Sequence, residues 1–160
     1  MLRGYSQRGI NMADVFDVAK YILQKQGSMT TMKLQKLVYY CQAWALVWDA
    51  KKLFPEKIEA WASGPVVREL YEVHRGMFNI SSIGKGDANN LTPNEKETVD
   101  KILETYGIKS AQWLSDLTHL EKPWNDARGC VDPGENCDKE ITQASMCEYY
   151  SSLFPSGEPI

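Results

Sequence analysis

A chain of 160 residues and 18.2 kDa is the length of one ordinary domain, long enough to bury a core without disulfide staples. With 43% hydrophobic and 24% charged residues the composition is globular, which excludes a disordered or low-complexity chain. The formal charge of −3 argues against generic nucleic-acid wrapping, which needs a basic surface.

In chain order, residues 1–12 (MLRGYSQRGINM) read as a flexible polar leader, with no apolar run that would make a secretory signal. Asp14 is placed as an N-cap with Asp17 at N3, opening a helix whose Val15, Val18, Ala19, Ile22 and Leu23 share one face and which Gly27 ends. Thr30 or Thr31 caps a second, longer helix towards Asp49, with Leu34, Leu37, Val38, Cys41, Ala45 and Trp48 along one side. Its most apolar stretch, Leu37 to Trp48, falls short of the roughly 20 residues a membrane span requires.

Lys51 to Pro55 forms a basic turn, and the alternation Ile58-Glu59-Ala60-Trp61 predicts an extended segment near 57–62. Pro65 is placed as N1 of a short helix through Arg75, with Val66, Leu70, Val73 and Met77 turned inward. Residues 79–91, rich in Ser, Gly and Asn, read as an exposed loop. Thr92-Pro93-Asn94-Glu95 has the capping-box form and opens a helix that stops at Gly107. Ser110 caps another, Ala111 to Leu120, with Trp113, Leu114 and Leu117 inward. A turn-rich stretch, Gly129 to Asp138, precedes a last helix from Ile141 to Leu153. The expected fold class is therefore mainly α, one compact domain of about six helices over 13–154, with a short tail at 155–160.

No catalytic constellation is legible. His74 and His119 fall near helix ends, where a histidine serves the last carbonyls and the dipole. The sequence holds no HExxH, GxSxG or GxxxxGK[ST] motif. Cys41, Cys130, Cys137 and Cys147 form no CxxC pair; Cys41 reads as a small core residue and the set as reduced thiols rather than a zinc site. The expectation is no enzyme, no cofactor and no metal.

Charge is unevenly shared: residues 1–57 carry a net +5 and residues 58–160 a net −8. Solvated helix faces explain this most simply; a basic face meeting an acidic partner explains it more sharply. The first two helices also resemble a helix-turn-helix, with Lys33, Gln35 and Lys36 where a recognition helix meets bases. The overall acidity makes nucleic acid the weaker partner.

The succession Lys33-Leu34-Gln35-Lys36-Leu37-Val38-Tyr39-Tyr40, Ala43-Trp44, Glu59-Ala60-Trp61, Gly64-Pro65-Val66-Val67 and Leu70-Tyr71 resembles the SocA-like antitoxin or Panacea domain, whose members include GepA-like phage-associated proteins. Leu117-Thr118-His119 and Pro123-Trp124 match its later part, so the resemblance spans Asp14 to Leu153. It implies a cytoplasmic, α-rich bacterial or prophage domain that neutralises a protein toxin by direct binding in a type II toxin-antitoxin system. Blocking the toxin and delivering it to a protease are both open at this point. So are two other readings: a mobile-element protein that blocks a host factor, and a DNA-binding regulator.

A domain acting by occupancy needs surface anchors, and interface cores favour Trp, Tyr and Arg. Lys33, Lys36, Tyr39, Tyr40, Trp61, Gly64, Pro65, Arg68 and Tyr71 are the partner-binding candidates. Packing competes for the same positions, first for the Gly64–Pro65 turn.

Overall fold

The computed structural model describes residues 12–153. Met12 apart, the expected leader lies outside them, as does the tail at 155–160. Helix α1 (Val15–Gln26) starts at Asp14, whose Oδ1 accepts from the Asp17 amide at 2.9 Å while Asp17 Oδ2 accepts from the Asp14 amide at 2.9 Å, the reciprocal pair the sequence announced. A two-residue strand β1 (Met29–Thr30) leads into α2 (Thr31–Trp48), capped by the Thr30 hydroxyl.

Helix α2 is the axis of the molecule. Every residue from Leu34 to Ala45 is buried, Gln35, Lys36 and Gln42 among them. A helix enclosed on all sides lies at the centre of its core. It lies against α1, against α4 (Pro93–Tyr106), α5 (Ala111–His119) and α7 (Gln143–Leu153), and against the strand β3 (Gly64–Val67).

Two small antiparallel sheets complete the fold. Strand β2 (Ile58–Trp61), extended as predicted, is central in the order β3-β2-β5, with Ile58 opposite Val67 on one side and Ile141 of β5 (Glu140–Ile141) on the other. Strand β1 pairs with β4 (Asn79–Ile80).

Several expectations are corrected. Pro65 does not open a helix; it lies in β3 opposite Ala60, and α3 begins only at Arg68, spanning Arg68–His74. An edge strand tolerates proline's missing N–H. Residues 79–91 are an exposed loop only in part: most are exposed, but Ile80, Ile83, Ala88 and Leu91 are buried, and Asp17 Oδ1 accepts from the Asp87 amide at 2.7 Å and from Asn90 Nδ2 at 3.2 Å. Met77 is exposed. A helix absent from the sequence reading, α6 (Lys122–Arg128), carries Pro123 in its first turn. Helix α7 starts at Gln143 because Glu140 and Ile141 are spent on pairing with β2. Among the described residues there are thus seven α-helices and a 3₁₀ turn at Ala88–Asn90.

Gln42, 1% exposed, ties the chain after α2 to that helix. Its Oε1 accepts from the amides of Leu53 (2.7 Å) and Phe54 (3.3 Å), and its Nε2 donates to Phe54 O at 2.8 Å. Gln42→Leu keeps the volume and strands three buried backbone groups. The expected loss is about 2–3 kcal/mol, read by urea denaturation; a loss below about 0.5 kcal/mol contradicts this account.

Candidate protein-binding face

Within the Lys-Leu-Gln-Lys run on α2, Gln35 and Lys36 face inward, onto β3. Gln35 behaves as a missing strand: its Oε1 accepts from the Val67 amide at 2.9 Å and its Nε2 donates to Val67 O at 3.2 Å, closing the β3 edge. The same Nε2 meets His74 Nε2 at 2.9 Å. With Gln35 donating, that ring nitrogen accepts, so the imidazole is neutral, and burial with nearby Lys36 holds its pKa below the ordinary value. His74 therefore bonds a side chain of α2 rather than capping its own helix.

Lys36 lies next along. Its side chain is fully enclosed, and Nζ donates to Pro65 O at 3.2 Å. Burial pulls its pKa down to about 7. Gly64 sits over its stem at φ +123°, where a Cβ would fall 2.5 Å from Lys36 Cε and 3.1 Å from Thr118 Oγ1. Tyr39 and Tyr40 are 1% and 0% exposed. The Tyr39 hydroxyl bonds that of Tyr150 at 3.0 Å, and Tyr40 stacks on Tyr106 with centroids 4.3 Å apart while donating to Glu121 Oε1 at 2.8 Å.

These positions correct the candidate list. Lys36, Tyr39, Tyr40, Gly64 and Pro65 are inside, so their side chains hold the Gly64–Pro65 corner and the core and offer nothing to a docked partner in this conformation. The helix-turn-helix reading loses its contacts for the same reason, since Gln35 and Lys36 are turned away from any groove. Lys33 remains half-buried at the start of α2.

The corner presents the other candidates together. The Trp61 indole donates to Glu59 Oε1 at 2.8 Å, and the exposed Arg68 engages both Glu59 oxygens at 3.3 Å. The guanidinium lies 5.3 Å from the Trp61 ring centroid, and Tyr71 meets that ring edge-on at 4.9 Å. Beside them opens a cleft of about 580 Å³ between Trp61, Ala62, Ser63 and Arg68 on one wall and Asn136, Cys137 and Asp138 on the other.

That second wall is held by Arg128, which sequence reasoning missed. Its Nη1 donates to Ala60 O at 2.9 Å, and its Nη2 donates to the carbonyls of Asp132 (2.7 Å), Pro133 (3.3 Å) and Glu135 (2.8 Å). A planar fork of donors suits a set of converging carbonyls. No sequence spacing marks such a residue.

His119 stacks on Trp124 at 4.1 Å, and Trp124 donates to Trp61 O at 2.8 Å, so the second histidine props the corner from behind. Among the described residues, no group of three or more His, Cys, Asp or Glu side chains is gathered to hold a metal, and no helix is long and apolar enough to cross a membrane.

The model of the family described as "Antitoxin SocA-like, Panacea domain" matches residues 34–125. The chain belongs to that family. No curated protein and no solved structure matches it. The Panacea match takes in Gln35, Lys36, the Gly64–Pro65 corner, Arg68, Tyr71 and Trp124; Arg128 and the loop it holds lie beyond it. Within this Panacea domain Gln35 and Lys36 are thus structural, bonded to Val67 and Pro65, while Arg68 is exposed with Trp61 and Tyr71 half-buried beside it.

Proposed function

We propose that this chain is an antitoxin that neutralises a protein toxin by direct binding, as the antitoxin half of a type II pair acting in the bacterial cytoplasm. Membership of an antitoxin family supports the role. The observation that carries the mode is the Trp61–Arg68–Tyr71 cluster, an aromatic and cationic surface set on a corner that buried groups keep rigid. Pre-ordered Trp, Tyr and Arg side chains lose little entropy on docking and dominate interface energetics. The chain works by occupancy and turns over no substrate.

The test is co-expression with the reading frame adjacent to its gene. A neighbour that poisons cells alone and is silenced by this chain, with the two proteins co-purifying, is the expected result. Persistent toxicity in the presence of the chain overturns the reading. Combining Trp61→Ala with Arg68→Glu is expected to weaken the complex by 30-fold or more, about 2 kcal/mol, with an unchanged circular dichroism spectrum. An unaltered affinity moves the interface elsewhere.

A further inference from the structure

A second surface lies on the opposite edge of α5. The last turn of α4, the chain after it, α5 and α7 enclose a groove of about 620 Å³ walled by Ile108, Trp113, Leu117, Leu120, Tyr149 and Leu153. Ile108 is 77% exposed and Leu120 81%, and Trp113, expected in the core, is 43% exposed. Side chains of this kind gathered on one surface mark an interaction site.

The groove also has a charged feature. Glu121, 6% exposed, lines it just before α6. Its Oε1 accepts from the Tyr40 hydroxyl at 2.8 Å and the Tyr150 hydroxyl at 2.6 Å. Oε2 accepts no hydrogen bond among the described residues and is not sealed off as a buried orphan. Burial raises the carboxyl's pKa, with the two tyrosine hydroxyls opposing. Of the groups around it, Tyr40, Tyr106, Tyr149 and Tyr150 are neutral phenols held above their ordinary pKa. The rim cation Lys109 stands 4.5 Å from the Trp113 ring centroid, and no ion pair joins it to Glu121 among the described residues.

A carboxylate taken out of water, bonded only to neutral hydroxyls and open towards an apolar groove lacks a cation. We infer that this groove docks an apolar segment of a partner protein that places one Lys or Arg against Glu121 Oε2. Residues 154–160 (FPSGEPI) follow Leu153 directly, but they carry no Lys or Arg and bring a Glu, the wrong charge for the site. The inference rests on the chain being a binding protein, and the groove would be a second contact for the same toxin.

The test uses the full-length chain and two capped 15-residue amphipathic helical peptides of leucine and alanine, identical save for a central lysine or norleucine. Calorimetry at pH 7.5 is expected to show the lysine peptide binding at least tenfold more tightly. Glu121→Gln, which keeps an acceptor for the tyrosines, should erase that difference. Leu120→Ser, at an exposed position, should weaken both peptides and keeps the test open if the Gln variant fails to fold. Burial holds this carboxyl above its ordinary pKa, so acidification protonates it in the free protein and the lysine preference should shrink as the pH falls. Equal affinities, no binding at millimolar peptide, indifference to Leu120→Ser, or a dimer that Leu120→Ser dissociates each overturns the inference. None of these readouts needs the toxin, so a silent neighbouring gene would sink the antitoxin reading and leave the groove result standing.

Discussion

A Lys36→Met variant should be more stable than the parent protein below pH 7 and should lose that advantage as the pH approaches 10. In the parent, the Lys36 ammonium is fully enclosed and has the Pro65 carbonyl as its hydrogen-bond acceptor. Burial brings its pKa to about 7 from the ordinary lysine value of 10.5. Between those two values the unfolded chain binds the proton that the native protein has released, so native stability rises with pH across the window. Below about pH 7 both states are protonated and the full penalty applies, on the order of 5 kcal/mol for a gap of this size. Methionine matches the stem and does not titrate. The stability difference between variant and parent should therefore shrink by up to about 1.4 kcal/mol per pH unit from pH 7 upward. Urea denaturation of both proteins at pH 6.5, 7.5, 8.5 and 9.5 reads this directly. Parallel pH profiles would mean that Lys36 keeps an ordinary pKa and is solvated.

Gly64→Ala should cost about 4 kcal/mol, lowering the melting temperature by roughly 10 °C for a domain of this size. Two effects add. At φ +123° an L side chain is strained, by about 1–3 kcal/mol. The new methyl also falls 2.5 Å from Lys36 Cε, and a side chain enclosed on all sides has nowhere to retreat, which adds about 1–3 kcal/mol of overpacking. The two parts separate in a cycle. In a Lys36→Ala background the closest contact disappears, leaving the backbone strain and the milder approach to Thr118 Oγ1, so the same substitution should cost about 2–3 kcal/mol. Additive losses in the double variant would show that Lys36 and Gly64 do not touch.

Local signals in the sequence were faithful where one turn of chain decides the outcome. Both capping boxes, at Asp14 and Thr92, formed as their spacing announced, and Ile58–Trp61 runs extended. What the sequence could not carry was which faces find neighbours. Helix α2 is surrounded, so Tyr39, Tyr40 and Lys36, which an amphipathic reading leaves at a surface, are interior. Trp113 fails in the reverse sense: it keeps the apolar period of α5, yet it is left 43% exposed. Periodicity says which residues share a side of a helix, and only tertiary assembly says what lies opposite. Helix α6 was hidden because it is short and the sequence offers it no side-chain cap, although Pro123 suits its first turn. Of the binding candidates, Trp61, Arg68 and Tyr71 were named because aromatic and arginine side chains stand beside a turn, a local property, and the structure places the three side by side. The groove over Glu121 joins residues from four parts of the chain and left no such mark.

Arg128 reaches the loop after α6 solely through carbonyl oxygens, those of Asp132, Pro133 and Glu135. Every amino acid supplies the same oxygen, so the anchorage is indifferent to what side chains the loop displays. The side chains at Asn136, Cys137 and Asp138 are in this way a replaceable cassette: mutation can rewrite the chemistry of that cleft wall while the bonds that anchor the loop stay intact.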